Sequence, residues 1–396
     1  MTDLTSYAAS FATPQSGDTL ATVRALALAR LNSTRKRIAS VLLESGNESS
    51  GEDLVSFTPG GGTAWRPETG LALLAYRNQQ YELAGLQWAA ASAGMGGSGN
   101  VRIRIDTPQW LYLDGALLPV TGDCTLVADG DSLVIESDCG AHTFRVTGEN
   151  LWSSTEAGSG PWAVFATGTL APRYVTATGL RHSQEGFPWI STAASCAAGD
   201  MTDSGWPPSA VPIRRIASIA QGWKTIVSHA PAYGAWVADT AAGCLLIEPS
   251  GTHTAQSGSS YDHPGLIAIE PPECPLFCGE ILVHECSHQQ LLIYSMAAPL
   301  VTRGTQEMYY SPIKRATRSI DRVLTGAHAV GNMIRYYAIL RQSVELDPQS
   351  CERFDRHCKW FAEDYRPAID GSQSLTEAGR LLWTTLCQAV DHAMVQ

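Results

Sequence analysis

Charged residues are scarce in this chain, and positive charge is the scarcer kind. Only 16% of the 396 residues are charged, and 38 Asp and Glu outnumber 27 Lys and Arg, which gives a formal net charge of −11. No block of Lys or Arg stands out in the sequence. Because binding to nucleic-acid phosphates depends on clustered positive charge, the sequence predicts no nucleic-acid partner.

Long apolar segments are also lacking. The longest apolar runs fall far short of the ~20 residues that a helix needs to cross a bilayer. The first residues, MTDLTSYAAS, include an early acid and do not contain the apolar core of a secretory signal. We therefore expect no membrane partner and no export, and we predict a cytoplasmic protein.

Cysteines are present, but not in the spacing of a structural zinc site. Cys274 and Cys278 are separated by three residues, and Cys351 and Cys358 by six, so neither forms part of a paired C-x-x-C arrangement. We expect nearly all ten cysteines to be ordinary thiols. The 44% of hydrophobic residues is ample for a packed core.

Hydrophobic periodicity divides the chain into three regions and predicts an α+β fold. Residues 1–99 form an N-terminal helical region, because apolar residues recur at helical spacing from Thr19 to about Ala93. Residues 100–270 form an antiparallel β-rich region, whose strands offer edges that an extended chain can pair with. Residues 271–396 form a helical region that contains the run H-E-x-x-H.

The strand prediction rests on alternation and on turn residues. VRIRID alternates strictly, and Asp114-Gly115 and Asp129-Gly130 each lie between apolar runs, which is typical of tight hairpins. AVFATGTL, RYVTATG and CLLIEPS are further predicted strands. In the last region, two long helical patterns precede a final helix that we expect to begin with a Ser374/Glu377 capping box.

The motif that indicates chemistry is H-E-x-x-H, at His284, Glu285 and His288. Residues four apart lie on the same face of a helix, about 5–6 Å from each other, so both imidazoles can share one metal ion. The surrounding residues are apolar, which lowers the local dielectric and restrains the ligand side chains. We therefore predict a metal site at His284 and His288.

Two histidines alone hold a metal weakly, so a third ligand is expected. His328, on a helical pattern 40 residues downstream, is our prediction, and Glu307 is the alternative. Glu285 is predicted to be catalytic, and two roles stay open. It is either the general base of a zinc peptidase or a residue that orients water or substrate near another metal.

Beyond the metal helix, the segment YYSPIKRATRSIDRVLTGAHAV contains Tyr310-Ser311-Pro312, Arg318 and a Leu-x-Gly helix start at Leu324–Gly326. Together with H-E-x-x-H, this segment resembles the 2-oxoglutarate-dependent H-E-x-x-H peptide β-hydroxylases, which modify ribosomally synthesised peptides. The resemblance covers about residues 281–340. The chain departs from the family pattern at Ile313, where Trp is usual, and at Lys314, where Arg is usual.

The resemblance implies an Fe(II) enzyme that uses 2-oxoglutarate and O2 to hydroxylate a side-chain Cβ of a precursor peptide. It implies that Arg318 binds the distal carboxylate of 2-oxoglutarate, with Lys314 as the next cation and with Tyr310 and Ser311 as hydroxyl donors. The alternatives are a zinc metallopeptidase that uses Glu285 as general base and a non-catalytic peptide-binding scaffold.

One further motif is set aside. Gly94, Gly96 and Gly99 satisfy G-x-G-x-x-G, but a helical pattern precedes them and a strand pattern follows. A dinucleotide site needs the opposite order, so we interpret this segment as a connection.

Overall fold

The structure is a computed structural model, and it describes most of the chain. The described residues are 4–14, 20–60, 65–113, 116–147, 151–154, 189–191, 213–241, 243–246, 257–259 and 263–395. They divide into two compact units. The helical unit comprises residues 1–20, 212–241 and 271–396, and the sheet unit comprises residues 21–211 and 242–270.

Helices occur at both ends of the chain and strands lie mainly between them, as predicted for an α+β fold. The α-helices are α1 (Leu4–Ala12), α2 (Leu20–Glu44), α3 (Glu48–Ser56), α4 (Pro67–Arg77), α5 (Tyr81–Ala93), α6 (Ile213–His229), α7 (Pro231–Thr240), α8 (Pro275–Ala297), α9 (Ile320–Leu340), α10 (Pro348–Trp360), α11 (Arg366–Asp370) and α12 (Glu377–Val395). A π-helical segment, Phe361–Tyr365, joins α10 to α11.

The strands of the described residues form three sheets. They are β1 (Ser98–Leu113), β2 (Ala116–Asp129), β3 (Ser132–Ser137), β4 (Gly140–Thr147), β5 (Leu151–Ser154), β6 (Trp189–Ser191), β7 (Gly243–Leu246), β8 (Ser257–Ser259), β9 (Leu266–Ile269), β10 (Met308–Ser311) and β11 (Ala316–Ser319).

The largest sheet confirms the predicted antiparallel middle region. Its order is β1-β2-β3-β4-β5, and every neighbouring pair is antiparallel. The predicted turn at Asp129-Gly130 is present, since β2 and β3 are joined through Gly130 at a φ of 96°. Glycine adopts this left-handed conformation without the steric cost that a Cβ would impose. Leu113 pairs with Ala116, while Asp114 and Gly115 between them lie outside the described residues.

One face of this sheet packs on helices. In VRIRID, Val101, Ile103 and Ile105 are buried, whereas the arginines between them are exposed. Helix α5 packs against β1, and the Gln87 side chain donates to the Tyr112 carbonyl and accepts from the Tyr112 amide. Burial of alternate side chains under α3 and α5 explains why the period-2 pattern predicted this strand.

A second, four-stranded sheet has the order β6-β7-β9-β8 and is mixed. Strands β6, β7 and β9 run parallel, and β8 is antiparallel to β9. The antiparallel prediction therefore does not extend to these strands. CLLIEPS contributes β7, as expected, whereas AVFATGTL and RYVTATG lie outside the described residues.

The prediction of strands across residues 100–270 was too broad at one place. Helices α6 and α7 occupy Ile213–Thr240, and α6 packs on α8 in the helical unit. Gly222 permits this approach, since a Cβ there would lie 2.6 Å from the Pro275 carbonyl oxygen. In the structure, residues 271–396 belong to the same compact unit as residues 1–20 and 212–241.

In the helical unit, α8 is the central element. It contacts α1, α6, α7 and α9, and α12 packs on both α1 and α9. The predicted capping box at Ser374 was wrong by two residues, because Thr376 caps α12 by accepting from the Gly379 amide. No helix among the described residues has the length and apolar character needed to span a membrane.

Candidate metal centre

Helix α8 carries the H-E-x-x-H motif in a buried setting. The helix begins with Pro275, which suits a first-turn position because its missing amide hydrogen has no helical partner there. Ile281, Leu282 and Val283 before the motif and Ile293 after it are all buried. The sequence-based prediction of a long apolar helix around the motif is confirmed.

The two histidines converge as the motif predicts. The Nε2 atoms of His284 and His288 lie 3.1 Å apart, and the rings are nearly perpendicular, with centroids 4.6 Å apart. Two nitrogens bound about 2.1 Å from one metal lie roughly 3.0–3.4 Å apart for bond angles between about 90° and 109°. The separation of the two nitrogens therefore fits a shared ion.

Glu285 completes a group of three metal-ligand atoms. One atom from each of His284, Glu285 and His288 lies within 4.8 Å of the others. The Glu285 carboxylate is buried, and its Oε1 is 3.8 Å from His284 Nε2. Among the described residues, the donor set at this point is two imidazoles and one carboxylate.

Both imidazoles are held in the neutral form. Burial lowers the pKa of His284, and the charge of Lys314 lowers it further, while Glu285 opposes these effects. Burial lowers the pKa of His288 well below its ordinary value, and neighbouring His284, His328, Lys314 and Arg322 act in the same direction. Neutral imidazole is the form that coordinates a metal, so the site requires little proton release on binding.

The structure does not bring His328 into this group. His328 on α9 is fully buried, and its Nε2 donates to the Phe11 carbonyl at 2.8 Å, at the end of α1. Asn332, one turn later, donates to the Ala12 carbonyl at 3.0 Å. These two side chains satisfy carbonyls that the last turn of α1 leaves without helical partners. The role of His328 as third ligand stays a prediction that this placement does not support.

Glu307, the alternative third ligand, is also engaged elsewhere. Its carboxylate accepts from the Ser372 hydroxyl, the Gln373 amide and the Tyr309 hydroxyl. These hydrogen bonds, led by the one from Ser372, lower the pKa of Glu307. Its position tethers the segment before β10 to residues 372–373.

The residues that carry the family resemblance form a hairpin, β10–β11 (Met308–Ser319), which leads directly into α9. Ser311 is buried, whereas Tyr310 is 49% exposed. Lys314 lies in the exposed turn, and Arg318 is half-buried on β11 opposite Tyr309. Lys314 is the predicted cation whose charge acts on both histidines, and the charge of Arg318 acts instead on Tyr365.

Tyr365 is a residue that the sequence did not reveal. It is fully buried in the π-helical segment, and a Cβ at Gly326 would lie 2.8 Å from its hydroxyl oxygen. The absence of a side chain at Gly326 therefore leaves room for Tyr365. Burial raises the pKa of Tyr365 to about 12, against the influence of Ser311 and the Ile313 backbone.

A buried ionic cluster lies one turn before the motif on the same helix. Glu280 accepts hydrogen bonds from the Tyr337 hydroxyl and from Arg353 Nε, the latter at 3.0 Å, and His357 Nε2 is 3.5 Å from its other oxygen. Arg353 also donates to the Ser350 hydroxyl at 3.0 Å. We call these residues the Glu280 cluster; they join α8 to α9 and α10.

The Glu280 cluster had a sequence signal that was missed. Glu280, His284 and His288 are spaced by four residues and so share one stripe of α8. An acid in an otherwise buried stripe needs partners, and burial raises the pKa of Glu280 while Tyr337 and Arg353 lower it. Its partners, on α9 and α10, follow no local pattern, so only the fold reveals them.

The site can therefore hold a metal ion through side chains of a single helical turn, with a cation-bearing hairpin nearby. In comparisons with known proteins, no family model and no curated sequence matches this chain.

Proposed function

We propose that this protein is a non-haem Fe(II)- and 2-oxoglutarate-dependent oxygenase that hydroxylates a side-chain Cβ of a ribosomally synthesised precursor peptide. The observation that carries the proposal is the donor set of two imidazoles and one carboxylate on α8. Two histidines and one carboxylate with open coordination positions are typical of non-haem iron oxygenases. The sequence resemblance from H-E-x-x-H to the Leu-x-Gly helix start supplies the substrate class.

The donor chemistry fits iron. His284 and His288 would hold the ion, and Glu285 offers the carboxylate at the same point. When bound, iron would supply oxygen activation: 2-oxoglutarate is oxidised to succinate and CO2, and the peptide Cβ–H becomes Cβ–OH. The protein supplies orientation and exclusion of water, and the apolar residues around α8 suit the second of these tasks.

The β10–β11 hairpin would bind 2-oxoglutarate through its positive charge. Arg318, which is half-buried on β11, would bind the distal carboxylate, and Lys314 is the next cation. Ser311, which is buried on the same hairpin, would donate from its hydroxyl group. A carboxylate in a partly desolvated site gains more from a cation than it would in bulk water.

The test is anaerobic loading of the full chain with Fe(II), followed by addition of 2-oxoglutarate, O2 and candidate precursor peptides. We expect succinate release and a peptide product heavier by one oxygen atom. His288→Ala should abolish both the bound iron and the turnover, whereas the exposed His392→Ala serves as the matched control and should retain them. Iron-loaded protein that never consumes 2-oxoglutarate would refute the proposal.

A zinc metallopeptidase is the second candidate, and the position of Glu285 favours it specifically. A carboxylate whose oxygen is 3.8 Å from His284 Nε2 is also within reach of a water molecule bound to the same ion. Glu285→Gln separates the two candidates. A peptidase would keep its zinc and lose cleavage by orders of magnitude, whereas an oxygenase that uses Glu285 as a ligand would lose iron affinity.

A further inference from the structure

The β10–β11 hairpin has a backbone edge that can accept another strand. The Ile320 amide donates to the Glu307 carbonyl at 3.1 Å, and this pair continues the register in which Tyr309 faces Arg318. Hydrogen-bonded and non-hydrogen-bonded pairs alternate in antiparallel strands, so the backbone groups of Met308 and Tyr310 point away from β11. In the described part of the chain, this sheet has only two strands.

Apolar side chains are exposed on one face of β10, beside this edge. Met308 is 54% exposed and Tyr310 is 49% exposed, and residues two apart in a strand project from the same face. Thr317, which faces Tyr310 across the hairpin, is exposed as well. A strand laid along β10 would therefore cover apolar surface and pair with outward backbone groups.

The hairpin is basic in an acidic protein. Residues 308–322 contain four cations, Lys314, Arg315, Arg318 and Arg322, and a single acid, Asp321, whereas the whole chain has a net charge of −11. Lys314 and Arg315 are exposed, and the Arg322 side chain is 47% exposed, with its Nε 3.8 Å from the Asp321 carboxylate. Arg315, with a φ of 49°, lies in the turn beside Lys314. This surface is complementary to negative charge.

The basic hairpin is joined to the helices of the candidate metal centre. Strand β11 runs directly into α9, and α9 contacts β10 and packs on α8, which carries both histidines. A chain held along β10 would therefore lie on the same compact unit as the candidate metal centre.

We infer that the outer edge of β10 docks an acidic segment of the peptide substrate as an added strand, with its carboxylates on Lys314, Arg315 and Arg322. This inference rests on the proposed function for the identity of the occupant. Backbone hydrogen bonds provide affinity in this mode of recognition, and alternate side chains provide specificity. The docked chain would present its continuation to the metal centre.

The test measures binding without metal, so that it is independent of turnover. The probe is a fluorescein-labelled peptide of about ten residues, a strand-length segment, with Glu at alternate positions and Val or Thr between them. We expect saturable binding by fluorescence anisotropy that weakens as salt is raised, since exposed charges are screened. A peptide with Lys in place of Glu should bind at least about tenfold more weakly.

Backbone pairing is tested with the same acidic peptide N-methylated at alternate residues, which removes the donors needed for strand addition. We expect at least about a tenfold loss of affinity, corresponding to a few hydrogen bonds. Arg322→Gln should weaken binding about two- to fivefold, whereas the exposed Arg102→Gln in the sheet unit is the matched control and should not weaken it.

Equal affinity for the Glu and Lys peptides, or for the methylated and unmethylated ones, would overturn the docking inference. Acidic-peptide binding that meets these expectations without any consumption of 2-oxoglutarate by the iron-loaded protein would keep the docking site and refute the oxygenase. Turnover of a precursor peptide without binding at the β10 edge would support the oxygenase and refute the docking site.

Discussion

Glu280 and His284 lie one turn apart on the same stripe of helix α8, yet their surroundings differ. The Glu280 carboxylate is 4% exposed and is bonded to Tyr337 and Arg353, which belong to two other helices. The His284 side chain is 18% exposed, and its Nε2 faces another neutral imidazole nitrogen at 3.1 Å. The charge of Glu280 is matched within the protein, whereas His284 contacts a second imidazole, and the Glu285 carboxylate lies beyond hydrogen-bond distance from it, at 3.8 Å.

The difference teaches how to distinguish structural from functional polar groups on one helix. A buried charge is tolerated when protein partners compensate it, and its replacement then costs stability. His284 and His288 carry no such compensated charge, and their ring nitrogens converge on one point. This is the arrangement that the proposed metal site requires.

The largest expected effect comes from removing one histidine of the candidate metal centre. His288→Ala removes one of two converging nitrogens, so metal affinity should fall by more than about a hundredfold, beyond what loss of an outer-shell partner causes. The free energy of unfolding without metal should change little, because His288 is only half-buried. Metal titration and chemical denaturation of the same preparation measure the two quantities. Unchanged metal stoichiometry in His288→Ala would contradict the assignment.

The next largest effect is the loss of stability when the Glu280 cluster is disrupted. Glu280→Leu leaves Arg353 buried without its carboxylate, and the free energy of unfolding should fall by about 3–5 kcal/mol, as for other broken buried pairs. Chemical denaturation followed by circular dichroism measures the loss. Metal affinity of the fraction that stays folded should be close to that of the parent chain.

A double variant provides the matched control for this prediction. Glu280→Leu combined with Arg353→Met removes both charges while keeping apolar volume, so much of the lost stability should return. If the double variant is no more stable than Glu280→Leu alone, the uncompensated arginine is not the cause, and the role of the Glu280 cluster in fixing α8 is different from the one argued above.

Local patterns predicted the parts of the structure that depend on local physics. The apolar periodicity of α8, the alternation of VRIRID and the Asp129-Gly130 turn each act over a few residues, and each was confirmed. Convergence of His284 and His288 follows from helix geometry alone, so the motif sufficed for it. The N-cap of α12 was misplaced because helix boundaries depend on small differences between neighbouring hydroxyl groups.

Non-local contacts account for what the sequence did not predict. The partner of His328 is the Phe11 carbonyl, which lies 317 residues away in the chain, and no spacing rule connects a histidine to a distant helix end. Helices α6 and α7 were missed because strand patterns surround them in sequence, while α6 packs on α8 of another region. The Glu280 cluster could not be predicted without knowing where α9 and α10 lie, because these helices contribute Tyr337 and Arg353.

The smallest expected effect tests whether His328 is a structural group, like Glu280, or a metal ligand, as proposed for His284. Burial lowers the pKa of His328 to about 4, although the Phe11, Ser287 and Ala12 carbonyls oppose the shift. In the unfolded chain His328 is protonated below its ordinary pKa of about 6.5, whereas in the folded chain it is protonated only below about pH 4. This residue therefore contributes stability above pH 6.5 that is lost as the pH falls from about 6.5 to about 4.

Between pH 7 and pH 5 the loss attributable to His328 should be about 2 kcal/mol, since each pKa unit corresponds to about 1.4 kcal/mol. His328→Gln keeps a donor for the Phe11 carbonyl but cannot titrate, so its free energy of unfolding should fall less over this range. Its metal affinity at pH 7 should match that of the parent chain, because the side chain holds the end of α1 rather than the ion. If His328→Gln lost metal as His288→Ala does, His328 would instead be a metal ligand. Its hydrogen bond to the Phe11 carbonyl would then have to break when metal binds.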